Sequence, residues 1–274
     1  MVPYFQAVVL GIVQGLTEFL PVSSSGHLRI VPALFGWPDP GAAFTAVIQL
    51  GTMLAVVLFF AKDLWRIISA WARSLVQPEL RHSLDSRMGW YIIIGTIPVG
   101  VFGLIFKNQI ETGARDLRIV GWLLIVFGIG LWAVDRVMPQ TKTVTELTLR
   151  DGLLFGIAQA FALIPGVSRS GSTITAGRLL SYDRASAARF SFLLSIPAVV
   201  LSGLFEARKL GENGGPAWGP TIVAAVVAFI VGYASIAWLL RYLAHHSMLI
   251  FGAYRVIIGV LVLALVYSGA ITAT

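Results

Sequence analysis

The segment QGLTEFLPVSSSGH, residues 14–27, brings a carboxylate, an imidazole and a run of hydroxyls together within a few residues. Gln14 and Glu18 are four apart and share one face of a helix that Pro21 must end. Ser23, Ser24 and Ser25 follow as candidate caps, so a second helix starting near Ser23 would turn its amide groups and dipole toward an anion. Ser24 and His27 then lie three apart on one face, a spacing that suits a hydroxyl nucleophile with an imidazole acid or base. The alternative is that the three serines only cap and turn the chain. A second polar segment, IPGVSRSGST at 164–173, supplies what a phosphate needs. Gly166 lets the backbone approach, Ser168 and Ser170 offer hydroxyls, and Arg169 offers a planar fork for phosphate oxygens. Thr173 lies one turn further on, and Arg255 could reach the same cavity from near the C-terminus. There is no Walker, dinucleotide-binding or zinc signature. One carboxylate makes a poor metal cage, but Glu18 together with phosphate oxygens would suit magnesium or calcium.

The elements that carry these residues are set by composition. Of 274 residues 57% are hydrophobic and 12% charged, against roughly a quarter charged in an average soluble domain. That excludes a soluble globular enzyme, a disordered chain and a nucleic-acid-binding module. The net charge of +7 fits Lys and Arg anchoring cytoplasmic loops. With no Cys, a disulfide framework and a thiolate nucleophile are excluded. The first basic residue is Arg29, so no basic stretch precedes the apolar residues 2–13, and the chain is expected to begin as mature structure.

About 20 apolar residues cross a bilayer as a helix, and six stretches qualify: 42–61, 88–106, 117–134, 186–205, 220–240 and 249–268. Pro98 and Pro197 fall inside two of them and predict local kinks. Residues 2–35 and 150–181 are apolar but broken in the middle by the two polar segments. Irregular backbone at membrane depth must be buried in protein or line a wet cavity, so each is read as a re-entrant helical hairpin. At an offset of 145 residues Gly11 pairs with Gly156, Gln14 with Gln159, Val22 with Val167, Ser23 with Ser168, and Ser25-Gly26 with Ser170-Gly171. The expected fold is therefore all-α: a single polytopic membrane domain, 1–274, made of two repeats, 1–137 and 138–274. Three spans per half make the repeats inverted. Lys107, Arg115, Arg118, Arg208 and Lys209 fall on one side and twelve other Lys and Arg on the opposite one, which assigns the latter to the cytoplasm. The first hairpin then enters from outside and the second from the cytoplasm, with their tips meeting near mid-membrane.

On this map Glu18 is the only carboxylate at apolar depth and His27 the only histidine, with Arg29, Arg169 and Arg255 as cations. Such groups mark functional sites, except that Arg29 could snorkel to the interface.

The two polar segments, together with the order of hairpins and spans and the terminal FGAYR at 251–255, resemble the undecaprenyl-diphosphate phosphatases, the bacitracin-resistance membrane family, over essentially the whole chain. The resemblance implies a multi-pass enzyme of the bacterial plasma membrane. It would hydrolyse the terminal phosphate of undecaprenyl diphosphate, recycle the lipid carrier of peptidoglycan synthesis and confer bacitracin resistance. Its site would open to the outer face. Gln14 and Glu18 match the family's acidic motif, whose first position is Glu or Gln; Gln here removes one metal-binding charge. Ser24 and His27 match its nucleophile and acid/base pair, Ser168, Arg169, Ser170 and Thr173 its phosphate loop, and Arg255 its C-terminal arginine. Three chemistries stay open: attack by Ser24 with His27 handling protons, attack by His27 through a phosphohistidine, or direct attack by water. The expected partners are a polyprenyl diphosphate lipid and the bilayer, with no nucleic acid; a homodimer is compatible with the sequence. The competing function is a polyprenyl-phosphate flippase, since broken helices in inverted repeats are also a transporter design.

Overall fold

The computed structural model describes residues 2–106, 109, 116–207 and 217–273. Among them lie eleven α-helices and no named strand: α1 Tyr4–Thr17, α2 Ser24–Leu34, α3 Gly41–Phe59, α4 Ala61–Ser74, α5 Leu84–Ile105, α6 Leu117–Val137, α7 Leu149–Phe161, α8 Arg169–Leu179, α9 Arg184–Ala207, α10 Trp218–Leu243 and α11 Leu249–Tyr267. Lys107, Arg115, Arg208 and Lys209 lie outside the described residues.

Five helices, α5, α6, α9, α10 and α11, are each long and apolar enough to cross a membrane. Their outward faces carry Ile97, Val126, Leu201, Ile230 and Ile257, all about half exposed or more, while Thr52, Thr173, Ser191 and Ser195 are buried. That distribution would be unfavourable in water and is the expected one in lipid. α5 and α9 run as continuous helices through Pro98 and Pro197. The predicted span 42–61 ends at Phe59, where the chain bends by 78° into α4. No element is expected from the sequence between the spans 42–61 and 88–106. Residues 61–74 form an amphipathic helix there, with Ile67 and Ser74 buried and Trp71 against Gly89 of α5. Counting α3 and α4 as one bent span brings the total to six.

Both broken regions are hairpins of two short helices, α1–α2 and α7–α8. Packing is reciprocal between the halves: α1 lies along α10, α7 lies along α5, and α6 pairs with α11. Glycine permits the closest of these approaches. A Cβ on Gly11 would stand 2.5 Å from the Ala224 carbonyl oxygen, and one on Gly156 2.1 Å from that of Gly95. The largest apolar core, with Phe19, Met53, Phe155, Phe190 and Phe192, joins hairpins from both halves to α3 and α9.

Glu18 is not the only buried carboxylate among the described residues. Asp135, at the end of α6, bonds Arg178 at 3.1 Å and Arg184 at 2.7 Å. Arg178, assigned from sequence to the cytoplasmic side, is fully buried and also donates to the carbonyls of Met138, Pro139 and Tyr182. This cluster ties the end of α8 to the end of α6. Arg29 does not snorkel: it is buried and paired with Asp39 at 3.4 Å.

Candidate active site

The site is built where the two hinges meet. After α1 the chain turns through residues 18–22, and Ser23 takes a left-handed conformation (φ 76°) that lets its hydroxyl accept from the amide of Gly26 and cap α2. Ser168 repeats this in the other hairpin (φ 74°), accepting from the amide of Gly171 to cap α8. A left-handed serine costs of order 1–3 kcal/mol. Glycine would avoid that cost but has no oxygen with which to cap.

Glu18, at the end of α1, is the centre of the arrangement. Its Oε2 accepts from Ser24 Oγ at 2.6 Å and from Gln14 Nε2 at 2.8 Å, and its Oε1 accepts from Arg169 Nη2 at 2.7 Å. Gln14 also donates to Thr52 Oγ1 of α3 at 3.4 Å. One buried carboxylate therefore joins the hydroxyl of one hairpin to the guanidinium of the other. Its charge is compensated by Arg169, which a buried carboxylate requires.

Two buried polar atoms at this junction have no hydrogen-bond partner: Arg169 Nη1, a donor, and Gln14 Oε1, an acceptor. Leaving such groups unpaired costs about 1–3 kcal/mol each, and their chemistry states what would relieve them. Arg169 Nη1 would take an anionic oxygen and Gln14 Oε1 a cation or a donor. Among the described residues no three His, Cys, Asp or Glu cluster to hold a metal. Glu18 and Gln14 Oε1 are hard oxygens, however. They fit an ion that keeps one or two protein ligands and takes the rest from substrate phosphates, as magnesium does.

Other predicted residues are placed differently. Ser24 does not rest on His27. The imidazole instead meets the Ser23 carbonyl through Nδ1 at 2.8 Å and Tyr254 Oη through Nε2 at 2.7 Å. Ser170 donates to the carbonyls of Leu20 at 3.0 Å and Glu18 at 3.3 Å, joining hinge to hinge. Thr173 is fully buried and turned to α9, with its hydroxyl 2.6 Å from Ser191 Oγ. Arg255 is buried and spent on backbone: it donates to Pro21 O of one hinge, Gly166 O and Val167 O of the other, and Leu124 O of α6. Its charge lies next to the site, but its donors serve backbone carbonyls, those of Pro21, Gly166 and Val167 lying where the helices break. Ser168 is a cap.

Thr52 and Tyr254 were missed from sequence. Tyr254 had one available signal, its place immediately before Arg255, but its partner His27 is 227 residues away.

Residues 7–261 match the family described as bacitracin resistance protein BacA. The chain is similar to an undecaprenyl-diphosphatase of Nocardioides sp., 56% identical over 275 residues with all of both chains covered. It is 54% identical to an undecaprenyl-diphosphatase of Thermobifida fusca, over 97% of this chain and 91% of that one. It is 52% identical to undecaprenyl-diphosphatase 2 of Streptomyces avermitilis, over 98% of this chain and 97% of that one.

Proposed function

This chain belongs to the bacitracin resistance protein BacA family, and we propose that its hairpin site hydrolyses the terminal phosphate of undecaprenyl diphosphate to give undecaprenyl phosphate. The protein is a multi-pass, all-α membrane phosphatase. The relatives are named for hydrolysis, which supports that reading over transport. Return of the carrier to peptidoglycan synthesis, bacitracin resistance, and a site reached from the outer face of the plasma membrane complete the proposal.

The observation that carries the mechanism is the Glu18 carboxylate, held between the Ser24 hydroxyl and the Arg169 guanidinium. Ser24 Oγ attacks the terminal phosphorus as its proton passes to Glu18 Oε2. The bridging P–O bond breaks, and undecaprenyl phosphate leaves with that electron pair. Arg169 Nη1 meets the transferring phosphoryl oxygens, where planar forked donors match the developing charge. The proton on Glu18 passes to the departing undecaprenyl phosphate, and water then attacks the phosphoserine: its proton goes to Glu18, the Ser24 Oγ–P bond breaks, Oγ takes that proton back and phosphate is released. Arg255 and Ser170 hold the two hinges in register. Magnesium or calcium at Glu18 and Gln14 Oε1 would offset diphosphate charge. Attack by His27 is disfavoured because both of its nitrogens are occupied.

Purified full-length chain in detergent, given undecaprenyl diphosphate, should release phosphate, and Ser24→Ala should lose nearly all of it. Substantial turnover by Ser24→Ala would favour direct attack by water, and no release by the unaltered chain would remove the phosphatase reading.

A further inference from the structure

His27 is buried on α2 with a contact at each nitrogen. At Nδ1 stands the carbonyl oxygen of Ser23, 2.8 Å away. A backbone carbonyl only accepts, so Nδ1 must carry the proton. In the neutral ring Nε2 is then an acceptor, and the group 2.7 Å from it is the phenol of Tyr254, which donates. The two rings also stack, with centroids 5.5 Å apart and planes 9° from parallel. The tautomer of His27 is therefore set by the cap of its own helix, and its tilt and lone pair are held by Tyr254 of α11.

The hydroxyl at Nε2 sits beside a second anchor. Tyr254 is followed by Arg255, whose guanidinium reaches both hinges and α6. A single turn of α11 thus holds the hinge backbone with one residue and the imidazole with its neighbour. Tyr254 touches none of Glu18, Ser24 or Arg169 by hydrogen bond in the structure.

We propose that Tyr254 is a positioning residue of the phosphatase site, donating to His27 Nε2 so that the ring, its Nδ1–H held on the Ser23 carbonyl, keeps its orientation with its lone pair covered. The Ser24 proton then has one acceptor, Glu18, and His27 serves the site as a fixed wall of the α2 start. The inference rests on the phosphatase reading for its kinetic consequence, but its structural content is independent of turnover.

The test uses full-length chain labelled with ¹⁵N-histidine in detergent, with the His27 signals identified by their loss in His27→Gln. Two-bond ¹H–¹⁵N spectra of the unaltered chain should report a protonated Nδ1 and a hydrogen-bonded, unprotonated Nε2. Tyr254→Phe keeps the ring stack and removes only the hydroxyl. It should shift the Nε2 resonance toward that of an imidazole nitrogen with no hydrogen bond, while Nδ1 stays protonated on the Ser23 carbonyl. It should also lower kcat about tenfold, near the worth of one hydrogen bond, with KM within about twofold. A purely structural tyrosine would alter stability and leave the His27 nitrogen shifts in place. An Nε2–H tautomer in the unaltered chain, or identical His27 shifts and kcat in Tyr254→Phe, overturns the inference. If Tyr254→Phe does not fold, the tautomer of the unaltered chain still decides. Failure of the unaltered chain to release phosphate, with the Nδ1–H tautomer in place, would count against the phosphatase reading alone.

Discussion

In the first hinge Ser23 holds φ at 76° and caps α2; 145 residues later Ser168 holds φ at 74° and caps α8. Glycines three positions after each cap, Gly26 and Gly171, complete the same turn, and Gln14 and Gln159 occupy matching places on α1 and α7. The side chains that do chemistry then differ at each matching position. Where the first hairpin has Glu18, Ser24 and His27, the second has Leu163, Arg169 and Ser172. The consequence shows at the glutamines. Gln14 donates to Glu18, whereas neither amide atom of Gln159, buried to 1% exposure, has a hydrogen-bond partner, because its counterpart residue is a leucine. The hinge geometry is common to both hairpins, but the buried carboxylate, its hydroxyl partner and the imidazole belong to one and the guanidinium to the other. Neither is a site by itself.

This division of labour can be broken from either side. The largest effect is expected at the carboxylate that joins the halves. Glu18→Gln keeps the shape and removes the base, so phosphate release should fall by about 10²–10⁴ in steady-state assays. Retention of activity within tenfold would show that Ser24 needs no carboxylate. Next comes Arg169→Lys, which keeps the charge and loses the fork; kcat should fall by about 10²-fold. An unaltered kcat would mean that charge alone suffices.

A third comparison concerns the two hinge glycines. A Cβ at position 171 would stand 2.6 Å from Arg255 Nη1, whereas one at 26 would meet Ser23 Oγ at 3.2 Å. Gly171→Ala must displace the guanidinium that ties both hinges and should cost about 1–3 kcal/mol, read as a lower unfolding midpoint in detergent. Gly26→Ala should cost less, and equal losses would contradict the anchoring role of Arg255. The smallest effect is expected from replacing the glutamines. Gln14→Leu removes a donor to Glu18 and should lower kcat about tenfold. Gln159→Leu removes two unpaired polar atoms and should leave kcat unchanged while raising stability by about 1 kcal/mol. The opposite ranking would mean that the second hairpin has its own use for the amide.

Much of this architecture is legible in the chain because lipid imposes simple demands. An apolar run of about 20 residues is a span, and one broken by Pro, Ser and Gly needs protein around its freed backbone. That logic places both hairpins and sets most span ends within a few residues. It also singles out Glu18, Ser24 and Arg169, polar groups in apolar surroundings that the structure joins by hydrogen bonds. What it misses depends on partners far apart in sequence. Arg255 read as a phosphate ligand because its charge was visible, while the unpaired carbonyls of Pro21, Gly166 and Val167 were not. Arg178 read only as a cation of the cytoplasmic side because Asp135, its partner 43 residues earlier, lay just past the predicted span end. His27 read as the partner of Ser24 from their spacing along α2, yet Ser24 Oγ is on Glu18 and the imidazole is on Tyr254. Amphipathic α4 was hidden because its charged face resembles a loop when hydropathy is averaged.

In the proposed mechanism Ser24, its proton taken by Glu18, receives the phosphoryl group. Rapid acid and alkaline quench of the purified chain during turnover of undecaprenyl diphosphate, followed by peptide mass spectrometry, tests it most directly. Phosphate on Ser24, stable to acid and absent from Glu18→Gln, is the predicted result. Phosphate on His27, which is stable to alkali and lost in acid, would contradict it.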